Sequence, residues 1–477
     1  MTKILYIIKK IIPKPIFSFI QPIYHFLFSF LSSLIYGKPS EKMIVVGVTG
    51  TTGKTSSVYL MAKALEGAGL KTGYTSTAMF NDGKKEWLND KKMTMLGRFF
   101  TQRILAQMYK NKCKVAIVET SSEGIKQFRH KFINYDILLV TGLYPEHIES
   151  HGSFEAYKNA KGELFKHLKY CHPKYINDKY EVIRTDSGIK KTELKKIKKT
   201  ILADLEDDYA EYFLSFWAEQ KLAYTGDLHN IKIDEKLKKD VDILEYHDVE
   251  IKKDGISYVV SDEIFSLSLL GSMNVKNSLN AFLLAKTLNL DMEKIKKSLS
   301  LIRGVAGRLE KINEGQNFTV VIDYAFEPRA VEKLYETLDL IPHNKIIHVL
   351  GSAGGGRDVA RRPKLGKIAG NKADFVIVTD EDPYDDDPQI IIDQVSLGAL
   401  KSGKIENNNL FKIMDRRLAI KKALDLAMEG DIVVITGKGS EQAIVRKNGE
   451  KESWDDRAIV RGLLSASKDK MVVDNDK

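Results

Sequence analysis

MIVVGVTGTTGKTSS, residues 43–57, is the stretch whose reading decides the fold. The apolar run from Met43 to Val48 reads as a strand buried on both faces. It enters a short loop containing Gly50 and Gly53, and Lys54 and Thr55 then open a helix. Glycine lets backbone N–H groups wrap an anion, and a helix N-terminus adds partial positive charge. A loop of this kind places its lysine on the outer phosphates of ATP and its hydroxyl residue on Mg²⁺. Gly50, Thr51, Thr52, Gly53, Lys54, Thr55 and Ser56 are therefore the candidate ATP-binding residues, with Thr55 a candidate metal ligand. The strict pattern wants glycine where Val48 stands, and Gly47 lies one step earlier. A plain glycine-rich turn is the structural alternative; the strand before and the helix after favour the phosphate loop.

At ~100–200 residues per domain, a chain of 477 residues holds more than one domain. Hydrophobic residues make up 43% of it, enough for full cores. Cys113 and Cys171 are the only cysteines, so a disulfide framework is excluded and a reducing, cytoplasmic location is expected. The net charge of +10 suits anionic substrates, a membrane surface or nucleic acid. No helix-turn-helix, RNA-binding or zinc-finger pattern accompanies it, so nucleic acid is not an expected partner.

Upstream of the phosphate loop, Lys3, Lys9, Lys10 and Lys14 precede IFSFIQPIYHFLFSFLSSLIY, residues 16–36. About 20 apolar residues can span a bilayer. Gln21, Pro22, His25 and four serines dilute this run. A lysine-flanked helix lying in the membrane interface is the leading expectation, ahead of a spanning one. It would put the chain peripherally at the inner face of the cell membrane through residues 1–37. A helix packed on the protein body is the structural alternative.

Downstream, the phosphate-loop helix ends near Gly67 and Gly69. VAIVE (115–119) and DILLVTGL (136–143) then read as strands with amphipathic helical stretches between them. Such alternation predicts an α/β fold with a parallel sheet, whose ligands gather at the carboxyl ends of the strands. Glu119, Ser121 and Ser122 follow one strand. Glu146, His147, Glu149 and His151 follow the next, and Lys161 lies on a predicted helix. Residues 172–200, rich in lysine, read as a solvated insertion, and 220–270 as short strands and turns. Residues 271–290 read as a helix. A second α/β set has strands at 318–325, 345–351, 374–380 and 431–437. The expected organisation is an apolar helical segment (1–40), a central P-loop ATPase-type parallel-sheet domain (41–305), a C-terminal Rossmann-like domain (306–465) and a charged tail (466–477).

Several segments resemble, in order, motifs of the Mur ligases, the ATP-dependent amide-forming enzymes of peptidoglycan precursor synthesis. They are YGKPSEKMIVVGVTGTTGKTS, ETSSEGIKQFR, TGLYPEHIESHGSFEAYKNAKGELF, NVKNSLNA, GVAGRLE, DYAFEP, GGGRDVARRP, DEDPYDDDP and GKGSE. The resemblance spans about residues 36–465 and is strongest to the branch that adds the third residue of the stem peptide. It implies phosphoryl transfer from ATP to a carboxylate, followed by attack of an amino-acid amine on the acyl phosphate. Lys54, Glu119, His147, Lys161 and Arg308 would be catalytic. Two Mg²⁺ sites are implied, one on Thr55 and Glu119, the other on Glu119, His147 and Lys161. For the second, Lys161 would carry a CO₂-derived carbamate. Asn274, Asn277 and Asp323 would hold the nucleotide. Thr77, Ser121, Ser122, Gln127 and Arg129 would hold a UDP-muramyl-peptide. Arg357 would bind the incoming amino acid's carboxylate, with Asp382 and Glu441 at its far end. Tyr384 stands where an arginine serves enzymes that take diaminopimelate, which makes L-lysine or another diamino acid the candidate.

This chain departs from the family pattern. Thr52 replaces asparagine, and Glu123, Phe326 and Ser440 replace histidines. Residues 1–37 stand in place of the usual N-terminal uridine-binding domain, so a membrane-bound muramyl-peptide is an alternative acceptor. A folylpolyglutamate-synthetase-like ligase and a non-catalytic ATP-binding membrane partner are the rival readings. Taken singly, Lys161 could be a surface lysine, His147 and His151 structural histidines, and the asparagine pair a helix-packing device.

Overall fold

The structure, a computed structural model, describes residues 14–146, 151–183, 189–252, 254–356 and 359–475. Strand β1 (Ile44–Thr49) is buried along its whole length. Ile44, Val46 and Val48 face one apolar core and Val45 the opposite one. A continuous apolar run with no polar alternation is what burial on both faces requires. Further strands are β2 (Thr72–Thr75), β3 (Met79–Asn81), β4 (Glu86–Leu88), β5 (Val115–Glu119) and β6 (Ile137–Val140). They are followed by β7 (Thr200–Asp204), β8 (Gln220–Thr225), β9 (Asp242–Lys252), β10 (Gly255–Val260) and β11 (Glu263–Leu267). The 11-stranded sheet runs β11-β10-β9-β8-β7-β6-β1-β5-β2-β3-β4. From β9 across to β2 the neighbours are parallel, while each end is closed by antiparallel pairs.

Helix α1 (Lys14–Ile35) lies against α3 (Arg98–Lys110), and α2 (Lys54–Gly67) follows β1 directly. Helix α4 (Phe154–Leu168) carries Lys161, and α5 (Met273–Thr287) packs on α2. Among the described residues no helix is long and apolar enough to cross a membrane.

A second sheet contains β12 (Glu310–Ile312), β13 (Thr319–Ile322), β14 (Ile346–Leu350), β15 (Phe375–Val378), β16 (Leu410–Lys412) and β17 (Ile432–Ile435). Its order is β12-β13-β17-β14-β15-β16, parallel throughout except for β12. It too has an apolar core on each face. The expected α/β class, with two large and mainly parallel sheets, is what the chain adopts.

Most described lysines of the lysine-rich insertion are exposed, as expected, with two exceptions. Lys174–Ile176, Val182–Ile183 and Lys195–Ile197 form a small antiparallel sheet, and Lys174 and Lys199 are buried. Their ammonium groups meet the two oxygens of Asp136 at 2.6 and 2.8 Å. Lys174 also donates to the Met43 and Asn134 carbonyls, both at 2.8 Å, and Lys199 to the Tyr135 carbonyl at 2.7 Å. Lysine count suggests solvation; paired charge and carbonyl acceptors allow burial instead.

Candidate active site

The register of β1 against β5 and β6 builds the floor of the site. Val48 stands opposite Glu119 and Thr49 opposite Val140, so Gly50, Glu119 and Thr141 meet at one sheet edge. Gly50 and Gly53 have φ of +148° and +77°. A Cβ at Gly50 would sit 2.1 Å from Thr141 Oγ1, so a side chain is excluded there. No side chain caps α2, whose first residues open onto the cavity. Lys54 folds back and donates to the Gly50 and Thr51 carbonyls at 3.0 and 2.7 Å. Burial pulls its pKa down, against the pull of Glu119 and Glu146.

Glu119 is the polar hub. Its carboxylate accepts from Thr55 Oγ1 at 3.0 Å, from the Thr77 N–H at 2.7 Å and from Thr77 Oγ1 at 2.9 Å. Lys161 is 1% exposed and donates to the Gly50 carbonyl at 2.7 Å, its amine 4.6 Å from the Tyr157 ring centre. Burial, then the charge of Lys54, holds its pKa well below the ordinary lysine value, with Glu146 and Glu119 opposing. Burial and Glu327 push Glu146 up to about 7, against Lys54 and Lys161.

The second sheet closes the site. Arg308 Nη2 reaches Thr55 Oγ1 at 3.5 Å, and its guanidinium stacks over Tyr324. Asp323 accepts the Leu309 and Ala325 N–H groups at 2.8 and 2.7 Å, which pins the crossing between the sheets. Burial raises its pKa, and Arg308 opposes this. Asn277 donates to Asn274 Oδ1 at 2.9 Å and accepts from Ser57 at 3.1 Å, tying α5 to α2. One cavity of about 1160 Å³ is lined by the phosphate loop, Thr77, Glu119, Ser121, Ser122, Arg129 and Lys161. Asn274, Asn277, Arg308, Asp323, Asp382 and Glu441 complete the same lining.

Gln127 stands behind the lining, and its Oε1 accepts at 2.7 Å from Arg129, which lines the cavity. His147 and Arg357 lie outside the described residues. His151 is turned to Ser122 Oγ at 3.1 Å and to Glu123 at 3.2 Å. Asp382 and Glu441 meet Lys438 at 2.9 and 2.7 Å. They also meet Lys92, from the first sheet's side, at 2.5 and 3.0 Å. Burial opposes the charge on Asp382, but Lys438 and Lys92 outweigh it and hold its pKa below the usual range. Sequence reasoning missed Lys92, and also the bond from Tyr144 Oη to Glu327 at 3.0 Å across the cavity. Neither has a local signal, because each partner comes from the other half of the chain.

Residues 48–285 match the Mur ligase middle domain, and residues 307–439 match the Mur ligase glutamate ligase domain. The chain belongs to the Mur ligase family. Mur ligases are ATP- and Mg²⁺-dependent enzymes that form amide bonds in peptidoglycan precursors, and this chain is an ATP-dependent ligase of that kind. It is 35% identical over 438 residues to a UDP-N-acetylmuramyl-tripeptide synthetase of Borrelia garinii subsp. bavariensis, covering 91% of this chain and 79% of that one. An Aquifex aeolicus UDP-N-acetylmuramoyl-L-alanyl-D-glutamate–2,6-diaminopimelate ligase is 31% identical, over 90% of this chain and 79% of that one. A solved structure of a ligase with this second name superposes with a TM-score of 0.55 at 25% identity, over 89% of this chain and 79% of that one. The folylpolyglutamate synthase of Mycobacterium tuberculosis shares the Mur ligase fold, with a TM-score of 0.59 at 15% identity, over 87% of this chain and 92% of that one.

Mg²⁺ takes oxygen ligands. The Thr55 hydroxyl and Glu119 carboxylate, on the cavity floor beside the phosphate loop, fit such an ion at a triphosphate. Among the described residues no group of three His, Cys, Asp or Glu is arranged to hold a metal.

Proposed function

We propose that this Mur ligase joins a diamino acid such as L-lysine to the peptide carboxylate of a UDP-muramyl-dipeptide. What carries the reading is one cavity lined by the phosphate loop, Glu119, Lys161 and Arg308 together with the acids Asp382 and Glu441. Lys54 swings from the Gly50 and Thr51 carbonyls onto the outer phosphates when a triphosphate fills the loop. Arg308 neutralises charge on the transferring phosphoryl group, and Asn274, Asn277 and Asp323 hold the nucleotide. Thr55 and Glu119 would hold Mg²⁺, which would supply positive charge at the phosphates. Thr77, Ser121, Ser122 and Arg129 bind the acceptor, with Gln127 orienting Arg129. Arg357 takes the amino acid's carboxylate, and the acids near Tyr384 take its distal ammonium.

Lys161 with His147 and Glu119 forms the second metal site in this reading. An ammonium cannot ligate Mg²⁺, whereas a neutral amine can add CO₂, form an N–C bond and release one N–H proton, gaining carboxylate-like oxygens. Burial beside Lys54 favours that neutral amine. Residues 41–305 serve as the ATP domain and 306–465 as the amino-acid domain. Residues 1–40 are an attachment carrying the helix Lys14–Ile35, and 466–477 a charged end segment that includes the last turns of the helix Asp456–Asn475. The chain works peripherally at the inner face of the cell membrane, where a membrane-bound muramyl-peptide is the second candidate acceptor.

The test is to incubate the protein with ATP, Mg²⁺, UDP-muramyl-dipeptide and mixed amino acids. Phosphate release should require both acceptor and amino acid, and product mass should identify a diamino acid. Release with folate and glutamate instead would install the rival ligase reading.

A further inference from the structure

Helix α1 wears its polarity inverted. Ser29, Ser32 and Ser33 are buried against the body, and Ser29 Oγ donates to the Phe128 carbonyl at 2.9 Å. On the same inner side, Arg98 of α3 donates to the His25 carbonyl at 3.1 Å and the Gln127 carbonyl at 2.8 Å. Facing outward are Ile23, Leu27, Phe30, Leu31, Leu34 and Ile35, between 42% and 60% exposed. Their spacing of three and four residues makes one stripe along a 22-residue helix, about 33 Å long. A helix on a water-facing surface turns its serines out and its leucines in. A contiguous apolar stripe of this length marks an interaction surface.

Charge names the occupant. Before Glu41 the chain has no acidic residue, while Lys3, Lys9, Lys10, Lys14 and Lys38 are basic. An apolar helix face with lysines and no carboxylates suits the headgroup boundary of an anionic bilayer. The inner serines and His25, bonded to the body, hold the helix along the protein's surface. We propose that α1 lies in the surface of an anionic phospholipid bilayer with this stripe in the lipid. The same helix holds the Phe128 carbonyl, next to Arg129, while Arg98 holds the adjoining Gln127 carbonyl. Docking therefore brings the acceptor segment beside the membrane, a consequence that rests on the ligase reading above.

Full-length protein is sedimented with phosphatidylcholine vesicles, with and without phosphatidylglycerol. Association is expected with the anionic vesicles and at least roughly tenfold weaker without them. The triple variant Ile23→Asp, Leu27→Asp, Leu34→Asp changes only exposed positions. It should bind anionic vesicles at least roughly tenfold less while releasing phosphate with soluble acceptor at the unaltered rate. Wild-type protein that ignores the anionic vesicles, or a variant that binds them equally, overturns the inference alone. So does a lipid-free dimer that the variant dissolves, since a second copy would then cover the stripe. Vesicle binding that follows these expectations in a protein without ligase activity supports the inference and overturns only the ligase reading.

Discussion

Lys161 holds an amine where charge is costly. The unfolded chain keeps its proton up to the ordinary lysine pKa, whereas the folded chain sheds it far lower, because of burial and Lys54. Between those two values the unfolded state binds more protons, so stability rises with pH and the native lysine is a net cost near pH 7. Lys161→Met should therefore raise stability by roughly 1–3 kcal/mol in urea unfolding. Turnover should fall at least roughly a hundredfold, as for removal of a preorganised charge-stabilising group. A buried lysine that the reaction does not use would show the gain without the loss. His348 behaves alike in the second sheet. Burial, then Arg416, pushes it down to about 3, between Tyr335 Oη at 2.7 Å and Thr436 Oγ1 at 2.9 Å. As pH falls from about 6.5 toward 3, the unfolded chain takes a proton that the folded chain refuses, and stability is lost across that window. His348→Gln should flatten the urea midpoint's dependence on pH between about 6.5 and 4.

At the scale of elements, what could be read locally was read. The strand at 43–48 needed only its apolar run, and the glycine loop needed only Gly50, Gly53 and Lys54. β5, β6, β13, β14, β15 and β17 each fall inside an expected strand, the ends trimmed where polar residues leave the sheet. The site residues gathered because parallel strands end together, so Gly50 and Glu119 become neighbours without a shared sequence signal. Lysine burial was illegible, because Lys174 and Lys199 find their common partner, Asp136, far away in sequence. Asp136 also accepts the β1 N–H of Val45 at 2.8 Å, so it rivets the small sheet to the large one. Asp136→Ala would strand two buried ammonium groups and cost about 3–5 kcal/mol. Urea unfolding should show the loss, and replacing both lysines with methionine in the same background should restore much of it.

Across the whole molecule, Lys92 is one of the residues that join the two sheets, and it does so at the acids proposed to receive the amino acid. Its side chain is 6% exposed and sits between Asp382 and Glu441, with Lys438 behind them. Two carboxylates and two ammonium groups balance, so an arriving diamino acid adds a cation that the acids can accept only by releasing one already bound. Lys438 is the less able to leave, since it is fully buried on the acids' own side and its pKa is raised by both, against the cost of burial. Lys92 comes from the opposite side and is the one to be displaced. Lys92→Ala then has two separable consequences. Without amino acid the domains lose a buried cross-contact worth about 2–5 kcal/mol, and solution scattering should show a larger radius of gyration. With a diamino acid, the vacated carboxylates accept its distal ammonium without competition, and KM for that substrate should fall about tenfold while KM for ATP stays fixed. A KM that rises instead would mean that Lys92 itself holds the substrate, and the incoming residue would then carry a distal carboxylate.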